Sequence, residues 1–267
     1  MLYGFLPSGR TTTRPVYSPR YPIVYRKGGY AVLGDDGVRL VFDAGPLGYP
    51  SIAAHGHADA LSFCLGVDDA WWLIDPGTYA YHSEAEWRDY FRGTSAHNTL
   101  VINGLNQSRI GGNFLWLERA HAVLEATGRQ SDGTQWARGR HDGYKDLGVI
   151  HQRELRYESS TKTIEVNDSI TCDKPDGDVH ASVFLHLAPD VKMTRNESHW
   201  IATRPNSTRK LKIVVDSKLE WQIVTGQLDP IQGWYSGTIG SKVPAPVLVG
   251  SHTGELPSRL TTRIEVM

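Results

Sequence analysis

The sequence has little cysteine, almost no net charge and no long hydrophobic run. Its 267 residues include 2 cysteines, Cys64 and Cys172, too few for a disulfide framework or a cysteine-based zinc motif. The 28 basic and 29 acidic side chains leave a net charge of -1, which excludes a global basic footprint for nucleic acid. No segment approaches the ~18 consecutive apolar residues of a membrane-spanning helix. The sequence therefore predicts a globular protein with free thiols.

The first residues have a composition of their own. Met1 to Pro7 lack a basic start followed by a long apolar core, so no signal peptide is predicted. Residues 1–20 are rich in Pro, Ser, Thr and Arg, which predicts an extended arm. From 21 to 267 no repeat or shift in composition marks a boundary, so we expect one domain there.

What the chain does contain favours strands. There are 27 Gly, 12 Tyr and 8 Trp, while charged residues make up only 21%. Short β-type runs recur between turn signals, and Gly34 to Gly37 is a good hairpin loop. More than ten such strands predict an all-β protein, a β-sandwich of several antiparallel sheets, with a closed barrel as the alternative. One short helix is predicted from Ser83 to Phe91, with Ser83 as its cap.

Potential metal ligands are concentrated in residues 51–117, in three pieces. His55-Gly56-His57-Ala58-Asp59 places two histidines at i and i+2, which on a strand point to one face. An apolar strand that begins at Trp71 delivers Asp75 at its end, and His97 stands before another strand. Imidazole and carboxylate ligands that leave room for water suit Zn²⁺, so His57, Asp75 and His97 are the predicted ligands.

The spacing alone leaves alternative roles open for these residues. They could be separate polar side chains with backbone hydrogen bonds. His55-x-His57-x-Asp59 is also similar to the start of the metallo-β-lactamase signature, although Ala60 stands where that motif has histidine. A cupin site needs a carboxylate about four residues after the second histidine. Residues 60–62 are Ala, Leu and Ser, so the sequence does not match that pattern.

An ordered set of motifs resembles the heparinase II/III-like family. The set is more specific than any single pattern, and it spans roughly residues 28–250. Its pieces, in chain order, are His55-Gly56-His57-Ala58-Asp59-Ala60-Leu61-Ser62-Phe63, Asp75-Pro76-Gly77-Thr78-Tyr79, Tyr90-Phe91-Arg92-Gly93-Thr94-Ser95-Ala96-His97-Asn98-Thr99, Asn103-Gly104-Leu105-Asn106-Gln107-Ser108 and Phe114-Leu115-Trp116.

The resemblance implies a relative of bacterial polysaccharide lyases, which cleave uronic-acid-containing chains such as heparan sulfate or alginate by β-elimination. In that family an N-terminal α/α toroid precedes a β-sandwich, and this chain resembles the β-sandwich alone. His57, Asp75 and His97 match the zinc positions, where the ion is largely structural. Because family members take catalytic groups from the toroid, the isolated chain is expected to lack part of the machinery. The resemblance also favours a periplasmic or secreted location.

Further site residues follow from β-elimination chemistry. His55 is predicted to neutralise charge or act as general acid or base, or else to orient the metal ligands. Tyr79 and Tyr81 are candidate proton-transfer groups. Contacts to an acidic saccharide are expected from a further set of side chains: Arg88, Arg92, Tyr90 and Asn98.

Two functions are compatible with this sequence. One is a zinc-binding domain that contributes to lyase cleavage of an acidic polysaccharide. The other is a non-catalytic carbohydrate-binding or assembly module that keeps the zinc for stability. The predicted metal ligands are common to both, so they do not separate them.

Overall fold

The computed structural model describes residues 20–49, 52–173, 179–256 and 258–267, and it is an all-β structure of several open antiparallel sheets. The prediction of a multi-sheet β-sandwich is confirmed. No sheet closes into a barrel within these residues. Most of the predicted arm, residues 1–19, lies outside the described part. Among the described residues, no helix combines the length and apolar character that a membrane crossing requires.

The described residues form twenty-three strands, one α-helix and two 3-10 turns. The helix, α1, is Ala85–Arg92, and the 3-10 turns are Thr94–Ala96 and Lys145–Leu147. In chain order the strands are β1 Ile23–Tyr25, β2 Tyr30–Gly34, β3 Val38–Asp43, β4 Phe63–Val67, β5 Ala70–Leu73, β6 Leu100–Ile102, β7 Arg109–Gly112, β8 Leu115–Glu118, β9 Ala122–Arg129, β10 Gln135–Tyr144, β11 Val149–Glu158, β12 Thr163–Cys172, β13 Val179–His186, β14 Lys192–Arg195, β15 Trp200–Thr203, β16 Lys210–Val214, β17 Glu220–Thr225, β18 Gln227–Leu228, β19 Ile231–Gln232, β20 Trp234–Thr238, β21 Ser241–Pro244, β22 Pro246–Gly254 and β23 Arg259–Val266.

Three of the sheets enclose the core. The first has the order β1-β2-β3-β4-β5, the second β14-β15-β16-β23-β12-β11-β10-β9, and the third β17-β22-β13-β6. One hydrophobic cluster joins them, with Phe42 and Trp72 from the first sheet, Tyr157 and Ile164 from the second and Leu248 from the third. The loops that leave the first sheet therefore start from a rigid, buried base.

A strand is easy to predict from the sequence when buried and exposed residues alternate along it. β11 alternates buried and half-buried residues along almost its whole length, as a strand with one face on the core does. β10 runs beside it but has Gln135, Ala137, Gly139 and His141 at its first four buried positions, before Tyr144 at its end. These residues give no alternation of large apolar side chains, so β10 leaves little signal in the sequence.

The helix begins later than predicted. Ser83 is not its cap, because Glu84 precedes the first helical residue in a left-handed conformation, with φ 56, and no side chain caps the helix. Glu84 is held by tertiary contacts: its Oε1 accepts a hydrogen bond from the Tyr79 hydroxyl at 2.7 Å, and its Oε2 lies 3.7 Å from Lys242 Nζ. Trp87 and Phe91, four residues apart, lie on one face of the helix with their rings in contact.

A buried chain of hydrogen bonds crosses the second sheet. The Gly143 N–H donates to His141 Nδ1 at 3.0 Å, so the neutral His141 carries its proton on Nε2 and donates to His151 Nδ1 at 3.2 Å. His151 Nε2 then donates to Asp168 Oδ1 at 2.6 Å. Arg153 also donates to both Asp168 oxygens, at 2.7 and 3.0 Å. Burial lowers the pKa of both histidines, and the Arg153 charge lowers that of Asp168 against the opposing effect of burial.

Arg153 also reaches out of its own sheet. Its Nη1 donates to the carbonyl oxygen of Leu61 at 2.8 Å and to that of Asn98 at 2.6 Å. Leu61 closes the loop before β4, and Asn98 follows His97. One buried guanidinium thus ties the second sheet to two loops that carry predicted metal ligands.

Replacing Asp168 by Asn is expected to lower the free energy of unfolding by about 3–5 kcal/mol, because Arg153 would stay buried without its counter-charge. Asp190→Asn is the matched control, since Asp190 pairs with Arg204 but has a side chain that is 46% exposed, and its loss should cost about 1 kcal/mol or less. Urea unfolding of both variants measures the difference. Equal losses would contradict the role given to the buried pair.

Candidate functional site

The candidate site is built by three loops. The first, residues 44–62, joins β3 to β4 and carries His55, His57 and Asp59. The second leaves β5 and carries Asp75, and the third follows α1 and carries His97. The expectation that His55 and His57 share a strand face is wrong, because both lie in the loop. The two histidines diverge: His57 is partly buried against His97, whereas His55 is exposed.

Four side chains converge where these loops meet, and we name them the metal cluster: His57, Asp59, Asp75 and His97. One ligand atom from each lies within 4.8 Å of the others. His57 Nδ1 is 3.1 Å from His97 Nε2, which is 3.4 Å from Asp75 Oδ2. The three predicted ligands are therefore together. Asp59 was not among them, although its i+2 spacing from His57 was visible in the sequence.

The hydrogen bond from His97 to the backbone leaves the lone pair of its other nitrogen directed into the metal cluster. Its Nδ1 lies 2.8 Å from the Gly93 carbonyl oxygen, which can only accept, so Nδ1 carries the proton and Nε2 has a lone pair. That lone pair faces an oxygen of Asp75, which has no proton to offer in its ionised form. On the other ligand, His57 Nε2 lies 3.2 Å from Thr78 Oγ1. Such outer hydrogen bonds orient metal-binding histidines.

Electrostatics also favour a cation at the metal cluster. Burial, with His97 nearby, lowers the pKa of His57 to about 3, and burial lowers that of His97. Both rings are therefore neutral at physiological pH, as metal ligands must be. Burial, reinforced by Asp43 and Asp75, raises the pKa of Asp59 well above its usual value. A bound cation would relieve this crowding of carboxyl groups.

A glycine holds Asp75 in place. The Gly77 N–H donates to Asp75 Oδ1 at 2.8 Å, and Gly77 has a φ of 79. A Cβ at this position would lie 2.0 Å from the carbonyl oxygen of Ser236. The backbone N–H of Ser236 donates in turn to the carbonyl oxygen of Pro76. The loop of Asp75 is thus fastened to strand β20, far away in the sequence.

His55 belongs to a neighbouring group of rings, which we name the aromatic patch: His55, Tyr81, His82 and Phe114. His55 meets Tyr81 edge-on at 5.4 Å between ring centroids, and Tyr81 stacks on Phe114 at 5.9 Å. The ring of His82 lies 5.0 Å from Phe114. Of the two predicted catalytic tyrosines, Tyr81 is in the patch, whereas the Tyr79 hydroxyl donates to Glu84.

The four predicted saccharide contacts are buried. Asn98 Nδ2 donates to the carbonyls of Phe63 and Ile74, at 2.7 and 3.0 Å. The Tyr90 hydroxyl accepts from the backbone N–H groups of Gly233 and Trp234, and burial raises its pKa to about 12.

Arg88 and Arg92 have no exposed surface, and their donors point to backbone carbonyls of the β7–β8 hairpin and its surroundings. Like Tyr90 and Asn98, they stabilise loops. Saccharide contact by any of the four stays an untested prediction that their burial does not favour.

The family follows from a match over almost the whole chain. A family model described as "Heparinase II/III-like, C-terminal" matches residues 18–264. The chain belongs to the heparinase II/III-like family. A search of curated proteins finds no match. The family that the motifs of residues 55–116 indicated is therefore confirmed.

Solved structures agree on the fold. A heparinase III, the BT4657 gene product, has a TM-score of 0.72 and 18% identity, and the alignment covers 93% of this chain and 36% of that one. The heparan sulfate lyase HepC from Pedobacter heparinus has a TM-score of 0.71 and 15% identity, with 93% and 37% covered. A putative mutarotase (YeaD) from Salmonella typhimurium has a TM-score of 0.51 and 10% identity, with 93% and 96% covered. The chain thus spans little more than a third of the two lyases.

Gly77→Ala is expected to lower the free energy of unfolding by about 1–3 kcal/mol, because the methyl group would be strained at positive φ and would collide with Ser236. Gly240→Ala is the matched control: its φ is 82, but its Cβ would meet no atom within 4 Å. Chemical unfolding should find Gly77→Ala the more destabilising. An equal loss in the control would mean that the contact with Ser236 contributes nothing.

Proposed function

We propose that this chain is the zinc-binding β-sandwich domain of a polysaccharide lyase and contributes to β-elimination of a uronic-acid-containing polysaccharide. The observation that carries the proposal is the pairing of two sites on the same loops. The metal cluster and the aromatic patch share the loop of residues 44–62 and the segment after β5. A histidine and a tyrosine, the residue types that such chemistry uses for proton transfer, are side by side on loops that also carry the metal cluster.

The donor set fits zinc. Two imidazoles and one or two carboxylates are common Zn²⁺ ligands, and bonds of about 2.0–2.1 Å in a tetrahedron separate neighbouring ligand atoms by about 3.3 Å. The two distances around His97 Nε2, 3.1 and 3.4 Å, lie on either side of that value. When bound, zinc would supply a structural link between the three loops. His57, Asp75 and His97 would hold it, and Asp59 offers a fourth ligand.

β-Elimination defines what the neighbouring residues would do. A base removes the proton from C5 of the uronate, the bond from C4 to the leaving oxygen breaks, and that oxygen takes up a proton. The carboxylate beside C5 must be neutralised while negative charge develops on it. His55 is exposed, so it can donate to that carboxylate or exchange a proton. Tyr81, whose ring touches that of His55, is the favoured partner, and Tyr79 is a less available one.

The domain is not expected to act alone. Because the chain spans 36–37% of the two lyases, other catalytic groups would come from a further domain, such as the α/α toroid of the family. His55 and Tyr81 would then form one wall of a cleft that another domain completes. An acidic polysaccharide or oligosaccharide is the proposed substrate.

A non-catalytic carbohydrate-binding module is the second candidate. The aromatic patch favours it, since rings of this kind pack against the apolar faces of sugar rings without any chemistry. In this case the zinc would serve stability alone.

Zinc content tests the metal assignment. The chain purified without added metal should carry about one equivalent of zinc, because a structural site retains its ion. His57→Gln and His97→Gln should lose it, whereas His82→Gln, an exposed histidine of the aromatic patch, should keep it. Elemental analysis gives the stoichiometry. Less than about a tenth of an equivalent in the unaltered chain would refute the assignment.

Turnover separates the two candidate functions. The intact gene product, incubated with heparan sulfate, alginate or hyaluronan, should form unsaturated uronate ends that absorb in the ultraviolet. His55→Ala should slow this about 100-fold or more, as the loss of an acid–base group does. His199→Gln, whose ring contacts Asn196 and Ser198, serves as control. A folded, zinc-loaded protein that binds these chains without turnover would support the module instead.

A further inference from the structure

A buried arginine lies directly beneath the aromatic patch. Arg88 is in the middle of α1 and has no exposed surface. Its Cζ lies 4.9 Å from the centre of the Tyr81 ring and 6.0 Å from that of Phe114. A cation at these distances from a ring face is attracted to it.

The hydrogen bonds of Arg88 lead to the same patch. Its Nη2 donates to the carbonyl of Ala54 at 3.1 Å, and its Nε donates to that of Asn113 at 3.1 Å. Ala54 immediately precedes His55, and Asn113 immediately precedes Phe114. A single guanidinium therefore fixes the backbone beside two rings of the patch and packs against the face of a third, Tyr81.

The third nitrogen of the Arg88 guanidinium, Nη1, also favours packing against the rings. Arg88 Nη1 is buried and has no hydrogen-bond partner among the described residues. Leaving a buried donor unpaired is costly, and a charged one more so. The ring faces of Tyr81 and Phe114 are the favourable neighbours of this guanidinium, so the attraction between cation and rings offsets the missing bond. The side chain then loses stability if either ring turns away.

We infer that Arg88 is a positioning residue that sets the orientation of His55 and Tyr81. The inference deepens the proposed function, since its importance for catalysis rests on those two rings facing the substrate. Arg88 has no exposed surface that an anionic sugar could reach in this structure. Arginine suits the task better than lysine because its planar fork can donate in two directions while its face lies against a ring.

Arg92, one turn along α1, provides a matched control. It is equally buried, and its donors reach the carbonyls of Gly112, Asn113 and Leu115. Its Cζ stacks 4.4 Å from the Trp116 ring. Arg92 thus holds the same hairpin as Arg88 but contacts neither Ala54 nor Tyr81.

Nuclear magnetic resonance of the histidine rings tests the inference in this 267-residue chain. The Cε1–H signal of His55, assigned by its loss in His55→Gln, should be shifted by the ring currents of Tyr81 and Phe114. In Arg88→Met this shift should largely disappear. In Arg92→Met it should persist even if stability falls. Arg88→Lys, which keeps the charge but not the planar fork, should move the signal in the same direction as Arg88→Met and serves if the latter does not fold.

Two outcomes would overturn the inference. A folded Arg88→Met or Arg88→Lys protein with an unmoved His55 signal would show that Arg88 does not orient the ring. An equal shift in Arg92→Met would show that any damage to the hairpin has the same effect.

Turnover provides a separate measurement in the intact gene product. There Arg88→Met should lower kcat by about 10–100-fold through misplacement of the rings, with KM changed less than about threefold. An unchanged kcat would refute the catalytic part of the role. If no form of the protein turns over substrate, the proposed function fails, while the spectroscopic result for Arg88 stands.

Discussion

The contact between the Arg153 guanidinium and two backbone carbonyls is the interaction on which the site depends. Arg153 is buried in the second sheet and paired with Asp168, and it donates to Leu61 and Asn98 in the loops of the site. Moving either loop would leave donors of this buried cation unpaired, which is costly. Asn98 extends the restraint to β4 and to the end of β5 through Phe63 and Ile74. The site loops are therefore tied to the first and second sheets by buried hydrogen bonds.

This restraint holds the side chains of the metal cluster close to one another. Loops held from behind bring two imidazoles and two carboxyl groups within a few ångströms of one another, and neighbouring carboxyl groups reinforce burial in raising the pKa of Asp59. The fold supplies the free energy that keeps the ligands together. Preorganisation of this kind reduces the ordering cost of binding and so favours the ion. The neighbouring rings rest on Arg88 in a comparable way, with a buried charge beneath the residues that reach solvent.

Some of these features could be predicted from the sequence. The alternation of β11 and β12 is visible in the sequence, and the order of motifs grouped His57, Asp75 and His97 as predicted ligands. β10 left little signal because its first four buried positions hold Gln, Ala, Gly and His. The helix start depended on Glu84, whose contacts with Tyr79 and Lys242 are tertiary. Arg88 and Arg92 suggest a binding surface when only residue type is considered. Nothing in the sequence around them indicates that both are buried under a hairpin more than ten residues further along the chain.

The fastening of Gly77 to Ser236 has a consequence for biosynthesis. The loop of Asp75 is completed by a strand about 160 residues later, through the bridge at Gly77 and the bonds from Ser236 to Pro76 and Thr78. A growing chain on the ribosome has made all four potential metal ligands long before it makes this strand. Until residue 236 emerges, Asp75 lacks the support that sets its position. The metal cluster is therefore completed late, and a chain truncated before β20 would carry all four of its side chains yet lack the support that positions Asp75.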